Sequence, residues 1–174
     1  MGMDVFGKNP TTDKGEYFRN NVWWWRPLWQ YCCEVGAEVI SDEVAEGGCY
    51  NSAYGLDEDG AKALSEILFG ELWNGRTAEY ERKYNEHLAT LPRVNCEFCD
   101  ATGIRSDAVG VEHGMPTREL EPEVQILTGR THGTCNSCRG VGTVESWEMN
   151  YPFSVENVEE FAYFLADCGG FEIH

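Results

Sequence analysis

Two cysteine pairs, Cys96-x-x-Cys99 and Cys135-x-x-Cys138, constrain this chain more than any other feature. A two-residue spacer lets both sulfurs of a pair reach one point from a tight turn. Four thiolates suit a tetrahedral Zn²⁺, which predicts a structural zinc held by Cys96, Cys99, Cys135 and Cys138. Disulfides or a redox pair are the alternatives, but neither CxxC stands in a thioredoxin-like βαβ setting. Gly103 after the first pair, and Gly140 and Gly142 after the second, let the backbone turn around a metal without a Cβ in the way. Four sulfurs close the coordination shell, so no position remains for a catalytic water. His113 and His132 lie between the pairs, where they could replace a cysteine or form a second site. Loop histidines are more often simply solvated.

"CNSCRGVG" at 135–142 resembles the CxxCxGxG repeat of the DnaJ-type zinc finger, and "CEFCDATG" at 96–103 resembles it with Ala101 in place of the first glycine. The resemblance covers residues 96–142 and implies the same four ligands and a zinc-clamped β-hairpin, a device that also binds protein segments. It departs from the family in having two repeats instead of four and a long insertion, residues 100–134, between the pairs. With no His-Pro-Asp there is no J-domain, and co-chaperone activity is not implied. "GEYFRNNVWWWRPLW", the CxxC block and "YPFSVENVEEFAYFLADCGGFEI" also make the whole chain similar to a family of small bacteriophage and bacterial proteins with no assigned activity. That resemblance implies a phage setting, and with it interference with host machinery or defence.

Outside the cysteine block the pattern is mainly helical. The first residues, rich in Gly, Pro, Thr and Asp, read as an extended arm with turns. Pro27 suits a first helical position and biases the residue before it away from the α region. The spacing therefore predicts an extended tryptophan triplet, Trp23–Trp25, feeding a helix from Pro27 toward Val44. In such a segment Trp23 and Trp25 would face one side, with Trp24, Val22 and Arg26 on the other. Covering both sides would call on the helices and on the N-terminal arm or a second subunit, so an oligomer is an open expectation.

Asp57 is placed to cap a helix over 58–73, with Ala61, Leu64, Leu68 and Leu72 at helical spacing and Gly75 as its stop. The "DEDG" there is not a calcium loop, because position 12 counted from Asp57 is Leu68. Thr77 is placed to cap 78–90, with Tyr80, Tyr84 and Leu88 inward and Pro92 beyond. The short turn between the two suggests an antiparallel helix pair. Ser154 precedes Val155, Val158, Phe161, Ala162, Leu165 and Cys168 on one face, ended by Gly169-Gly170. The expected fold is α+β: a single domain, 1–174, of about four helices with a small β component and the zinc hairpin.

Charge narrows the function classes. The chain of 174 residues carries 13 Lys+Arg against 30 Asp+Glu, a net −17. After Arg139 no Lys or Arg follows, while Glu145, Glu148, Glu156, Glu159, Glu160, Asp167 and Glu172 do. Such a field repels phosphate backbones and disfavours direct nucleic-acid binding. It suits a solvated surface or docking on a basic partner. Neither a long apolar run nor a signal-peptide pattern is present, which reads as a cytoplasmic protein of a bacterial host cell without a membrane span. No Ser-His-Asp set, nucleophile elbow, P-loop or dinucleotide turn occurs, and catalysis has no specific support. The leading expectation is a non-enzymatic, zinc-stabilised interaction protein that inhibits or redirects a host defence protein through acidic and aromatic surface. The alternative is a small-ligand binder, using Arg19, Asn20, Asn21, Trp24 and Arg26 to stack on and hydrogen-bond a nucleotide-like signal molecule. An enzyme of another class ranks third.

Overall fold

The computed structural model describes residues 2–104, 120–128, 133 and 135–174. The chain divides into two compact units, Met1–Ala89 with Asn150–His174 and Thr90–Met149. The first holds a three-stranded antiparallel sheet and the longer helices. Its strands are β1 (Gly2–Gly7), β2 (Tyr17–Asn21) and β5 (Phe171–Ile173), in the order β2-β1-β5. A four-residue helix α1 (Asp13–Glu16) turns β1 into β2, and α2 (Val22–Val35) and α3 (Asp42–Gly47) follow. Next come α4 (Glu58–Trp73) and α5 (Arg76–Thr90). The second unit contains β3 (Val94–Asn95), α6 (Pro122–Thr128) and β4 (Thr143–Val144), after which α7 (Val155–Asp167) and β5 return to the first. The fold is α+β, dominated by four longer helices with small sheets, as the sequence led us to expect.

Caps set the boundaries of α4 and α7 where the sequence placed them. The Asp57 side chain accepts from the Gly60 amide and that of Ser154 from the Asn157 amide, each satisfying an orphan donor of a first turn. Ala61, Leu64 and Leu68 are buried, as are Val158, Phe161, Ala162, Leu165 and Cys168. These two stripes meet each other: α4 packs along α7, and the buried Ser65 hydroxyl donates to the Ala162 carbonyl at 2.9 Å. The antiparallel α4–α5 pair is thus replaced by α4–α7, since the apolar face of α4 matches α7 better than the largely polar α5. Helix α5 also starts two residues earlier than expected. Thr77 lies inside it, buried, with its hydroxyl 3.0 Å from that of Tyr31.

The tryptophan triplet is helical, which corrects the extended reading. Asn21, in extended conformation, accepts from the amides of Trp23 and Trp24 and starts α2 five residues before Pro27. The helix ends at Val35 and not near Val44, its last turn closed by the Gly36 amide on the Cys32 carbonyl. A proline inside a helix costs about 3 kcal/mol, because it removes a donor and crowds the preceding turn. Burying two indoles is worth about as much each or more, and helical spacing is what puts both in the core. Trp25 and Trp29 are fully buried, and their indole N–H groups donate to the carbonyls of Gly48 (2.8 Å) and Ala45 (2.9 Å). Around them lie Met3, Val5, Leu28, Phe161, Phe164, Phe171 and Ile173.

Candidate metal centre

In the second unit β3 and β4 pair antiparallel, Val94 opposite Val144 and Asn95 opposite Thr143. This two-stranded ribbon brings the two CxxC turns side by side. Cys96, Cys99, Cys135 and Cys138 are all buried, and their four sulfurs lie within 4.8 Å of one another. Cys96 Sγ is 3.8 Å from Cys135 Sγ, and Cys99 Sγ is 3.7 Å from Cys138 Sγ. No pair is bonded as a disulfide. The arrangement fits a structural metal ion held by four sulfurs, with the ligands at the residues the sequence singled out.

The two turns are related by an approximate local two-fold. The Cys96 amide donates to the Gly142 carbonyl and the Cys135 amide to the Gly103 carbonyl, both at 2.9 Å. A Cβ on Gly103 would stand 2.3 Å from the Gly140 carbonyl oxygen, and one on Gly142 would stand 2.2 Å from that of Ala101. Asp100 and Ala101 in the first turn, like Arg139 and Gly140 in the second, have positive φ. The CxxCxGxG spacing therefore serves two purposes: left-handed residues wrap the chain around the sulfurs, and the last glycine of each repeat lets the two turns touch backbone to backbone. Ala101 keeps that conformation at φ 62 despite its Cβ.

Electrostatics within the cluster are uneven. Burial pushes the Cys99 thiol up to about 12, with the neighbouring thiols adding to the effect. Burial also opposes ionisation of Cys138, but the Gly142 and Gly140 amides outweigh it and bring that thiol down to about 7. The Gly142 amide lies 3.2 Å from Cys138 Sγ. Four thiols this close ionise together only when a cation neutralises them, which is the condition for metal uptake.

The remaining cysteines belong to the first unit. Cys32 and Cys168 are buried in its core, as their helical positions indicated, and burial raises both thiols, that of Cys168 to about 11. His113 and His132, and the insertion arginines Arg105, Arg118 and Arg130, lie outside the described residues.

The five residues weighed as a ligand set lie at the junction of β2 and α2. The Asn20 side chain is buried and donates to Asn157 Oδ1 at 2.7 Å, while Asn157 Nδ2 donates to the Trp24 carbonyl at 3.4 Å. Asn21 is the α2 cap. Trp24 is half-buried. Arg19 is exposed, 3.7 Å from Asp4, and Arg26 is exposed and donates to the Tyr151 hydroxyl at 3.0 Å. The two asparagines thus hold the junction together, and the two arginines pair with different neighbours. Sequence reasoning missed a cleft of about 320 Å³ beside β2, lined by Lys14, Tyr17, Phe18, Glu160, Tyr163 and Phe164. Its walls come from segments distant in sequence, so no local motif marked it. Among the described residues no helix is long and apolar enough to cross a membrane.

Compared with protein-family models, curated proteins and solved structures, the chain has no match.

Proposed function

We propose that the chain is a non-enzymatic, zinc-stabilised interaction protein of phage origin that binds and inhibits or redirects a host defence protein. The observation that carries this reading is the closed shell of four buried sulfurs. An ion held by all four has no open position for water or substrate, which assigns it a structural task. Zinc is the ion we assign because four thiolates suit its tetrahedral preference, and Zn–S bonds of about 2.3 Å give edges of about 3.8 Å, close to the Cys96–Cys135 and Cys99–Cys138 spacings in a set that lies within 4.8 Å. The two glycine-linked turns support the likeness to the DnaJ-type finger. The net charge of −17 favours a basic partner protein over nucleic acid.

Native mass spectrometry of the chain isolated from bacterial host cells, with elemental analysis for zinc, tests the reading. One zinc per chain and a stoichiometric protein partner are expected. A copurified small molecule with no protein, or a metal bound with an exchangeable water ligand, would overturn it.

A further inference from the structure

The free edge of the three-stranded sheet has the makings of a peptide-binding groove. Asp4 exchanges both backbone hydrogen bonds with His174, the residue after β5, amide to carbonyl at 2.8 Å and carbonyl to amide at 2.7 Å. Backbone groups along a strand point alternately to its two sides, so Met3 and Val5 face β2. Their partners in register are Asn20 and Phe18, whose N–H and C=O groups therefore point back at β1. The amide and carbonyl of Arg19 and the carbonyl of Tyr17 consequently point away from the sheet. Among the described residues no strand pairs with that side of β2.

Helix α7 flanks this edge and runs antiparallel to it. Asn157 meets Asn20 near its start. One and two turns later Phe161 and Phe164 lie against Phe18, at 5.0 and 5.9 Å between ring centroids. At the far end Lys14 sits over the Tyr163 ring, 4.8 Å from its centroid. The aromatic cleft lies between this end of β2 and α7. The solvent side of α7 carries Glu156, Glu159 and Glu160, and the helix has no basic residue. Arg19 is balanced by Asp4, and Lys14, over the neutral Tyr163 ring, offsets only one of the three glutamates, so the rim presents a surplus of negative charge.

We infer that β2 and α7 together accept an extended basic segment of a partner protein as a fourth strand, antiparallel to β2. The residue opposite Arg19 exchanges two backbone hydrogen bonds with it, an apolar or aromatic side chain enters the cleft between Tyr17 and Tyr163, and lysine or arginine side chains face Glu156 and Glu160. An exposed sheet edge is a standing invitation to strand addition; the acidic helix beside it selects a basic strand over a neutral or acidic one. The inference rests on the interaction reading above and names the surface and chemistry it uses.

A fluorescein-labelled peptide, acetyl-Thr-Lys-Thr-Phe-Thr-Lys-Thr-amide, whose phenylalanine and two lysines share the strand face toward α7, tests it by anisotropy against the zinc-loaded chain. Binding is expected, with the backbone amide of Arg19 shifting in NMR spectra. Methylating alternate backbone nitrogens of the peptide, or introducing Arg19→Pro, which an edge strand tolerates, is expected to weaken binding about tenfold through the lost backbone hydrogen bonds. A double Glu156→Gln, Glu160→Gln variant is expected to lose most of the preference over a peptide with Glu in place of Lys. The inference is overturned by equal binding of the acidic peptide, by indifference to N-methylation, or by a homodimer that Arg19→Pro dissociates. The methylated peptide keeps the test valid should Arg19→Pro fold poorly. If Arg19→Pro retains the partner seen by native mass spectrometry, docking is elsewhere and the interaction reading stands; if the unaltered chain has no partner, the interaction reading falls.

Discussion

Trp25 stacks on Trp29 one helical turn away, with ring centroids 5.4 Å apart and planes 11° from parallel. The pair is wedged by glycine: a Cβ on Gly48 would stand 2.4 Å from the Trp29 indole, while the Gly48 carbonyl receives the Trp25 N–H. One residue thus leaves room for the Trp29 ring and supplies the polar partner of Trp25.

Trp25→Ala is expected to destabilise the first unit by about 3–5 kcal/mol, through lost burial and the cavity left behind. Trp24→Ala, at a half-buried site, is expected to cost about 1 kcal/mol. Urea denaturation of the two variants, followed by near-ultraviolet circular dichroism, would show equal losses if the triplet were extended and shared its burial.

Exchanging small residues in the two CxxC turns should have opposite effects. Gly142→Ala combines positive φ with a clash on the Ala101 carbonyl, and it is expected to lower metal affinity measurably in competition with a chromogenic chelator. Ala101→Gly relieves a left-handed alanine and is expected to stabilise the turn by about 0.5–1 kcal/mol. A loss of affinity in the Ala101→Gly variant would contradict the two-fold relation of the turns.

Metal removal should act locally. The aromatic core of the first unit contains none of the four ligands. A strong chelator, or Cys135→Ser, is therefore expected to open the two CxxC turns, residues 94–104 and 135–144, to proteolysis while the Trp25–Trp29 signal in near-ultraviolet circular dichroism persists. Retention of full protease resistance with the metal gone would remove the structural role of the site.

On the surface of α5, hydrogen bonds from Arg82 and then Lys83 hold the Glu79 carboxyl down to about 2. A glutamate in an unfolded chain titrates at about 4.3, so this group favours the folded state above that value and loses its contribution as pH falls toward 2. Carbon NMR of the carboxyl should give a midpoint near the lower value, and Arg82→Ala should move it upward. Because the group is exposed, the effect on stability is small and screened by salt. An unmoved midpoint would show that the Arg82 bonds do not form in solution.

The helices at 58–73 and 155–167 were legible because their signals are local: Asp57 and Ser154 are followed by apolar residues at helical spacing. The four-cysteine site was legible because two short turns carry all of its ligands. The Trp23–Trp25 conformation was misread because Pro27 is a strong local signal, whereas Asn21 is a modest one that prevails only when Trp25 and Trp29 have a core to enter. Strand β5 was not foreseen. Phe171–Ile173 is too short to show alternation, and it becomes a strand because β1 offers it an edge.

The sequence by itself determined the Asp57 and Ser154 caps, the apolar stripes of α4 and α7 and the two CxxC turns of the candidate metal site, because each depends on residues within a few positions of one another. Tertiary structure alone decided that α4 packs on α7, that β1 lies between β2 and β5, and that the tryptophans are helical. Those choices turn on contacts such as Asp4 with His174 and Ser65 with Ala162. Their free energy comes from burying surfaces far apart in the chain, and no local pattern encodes which surface meets which.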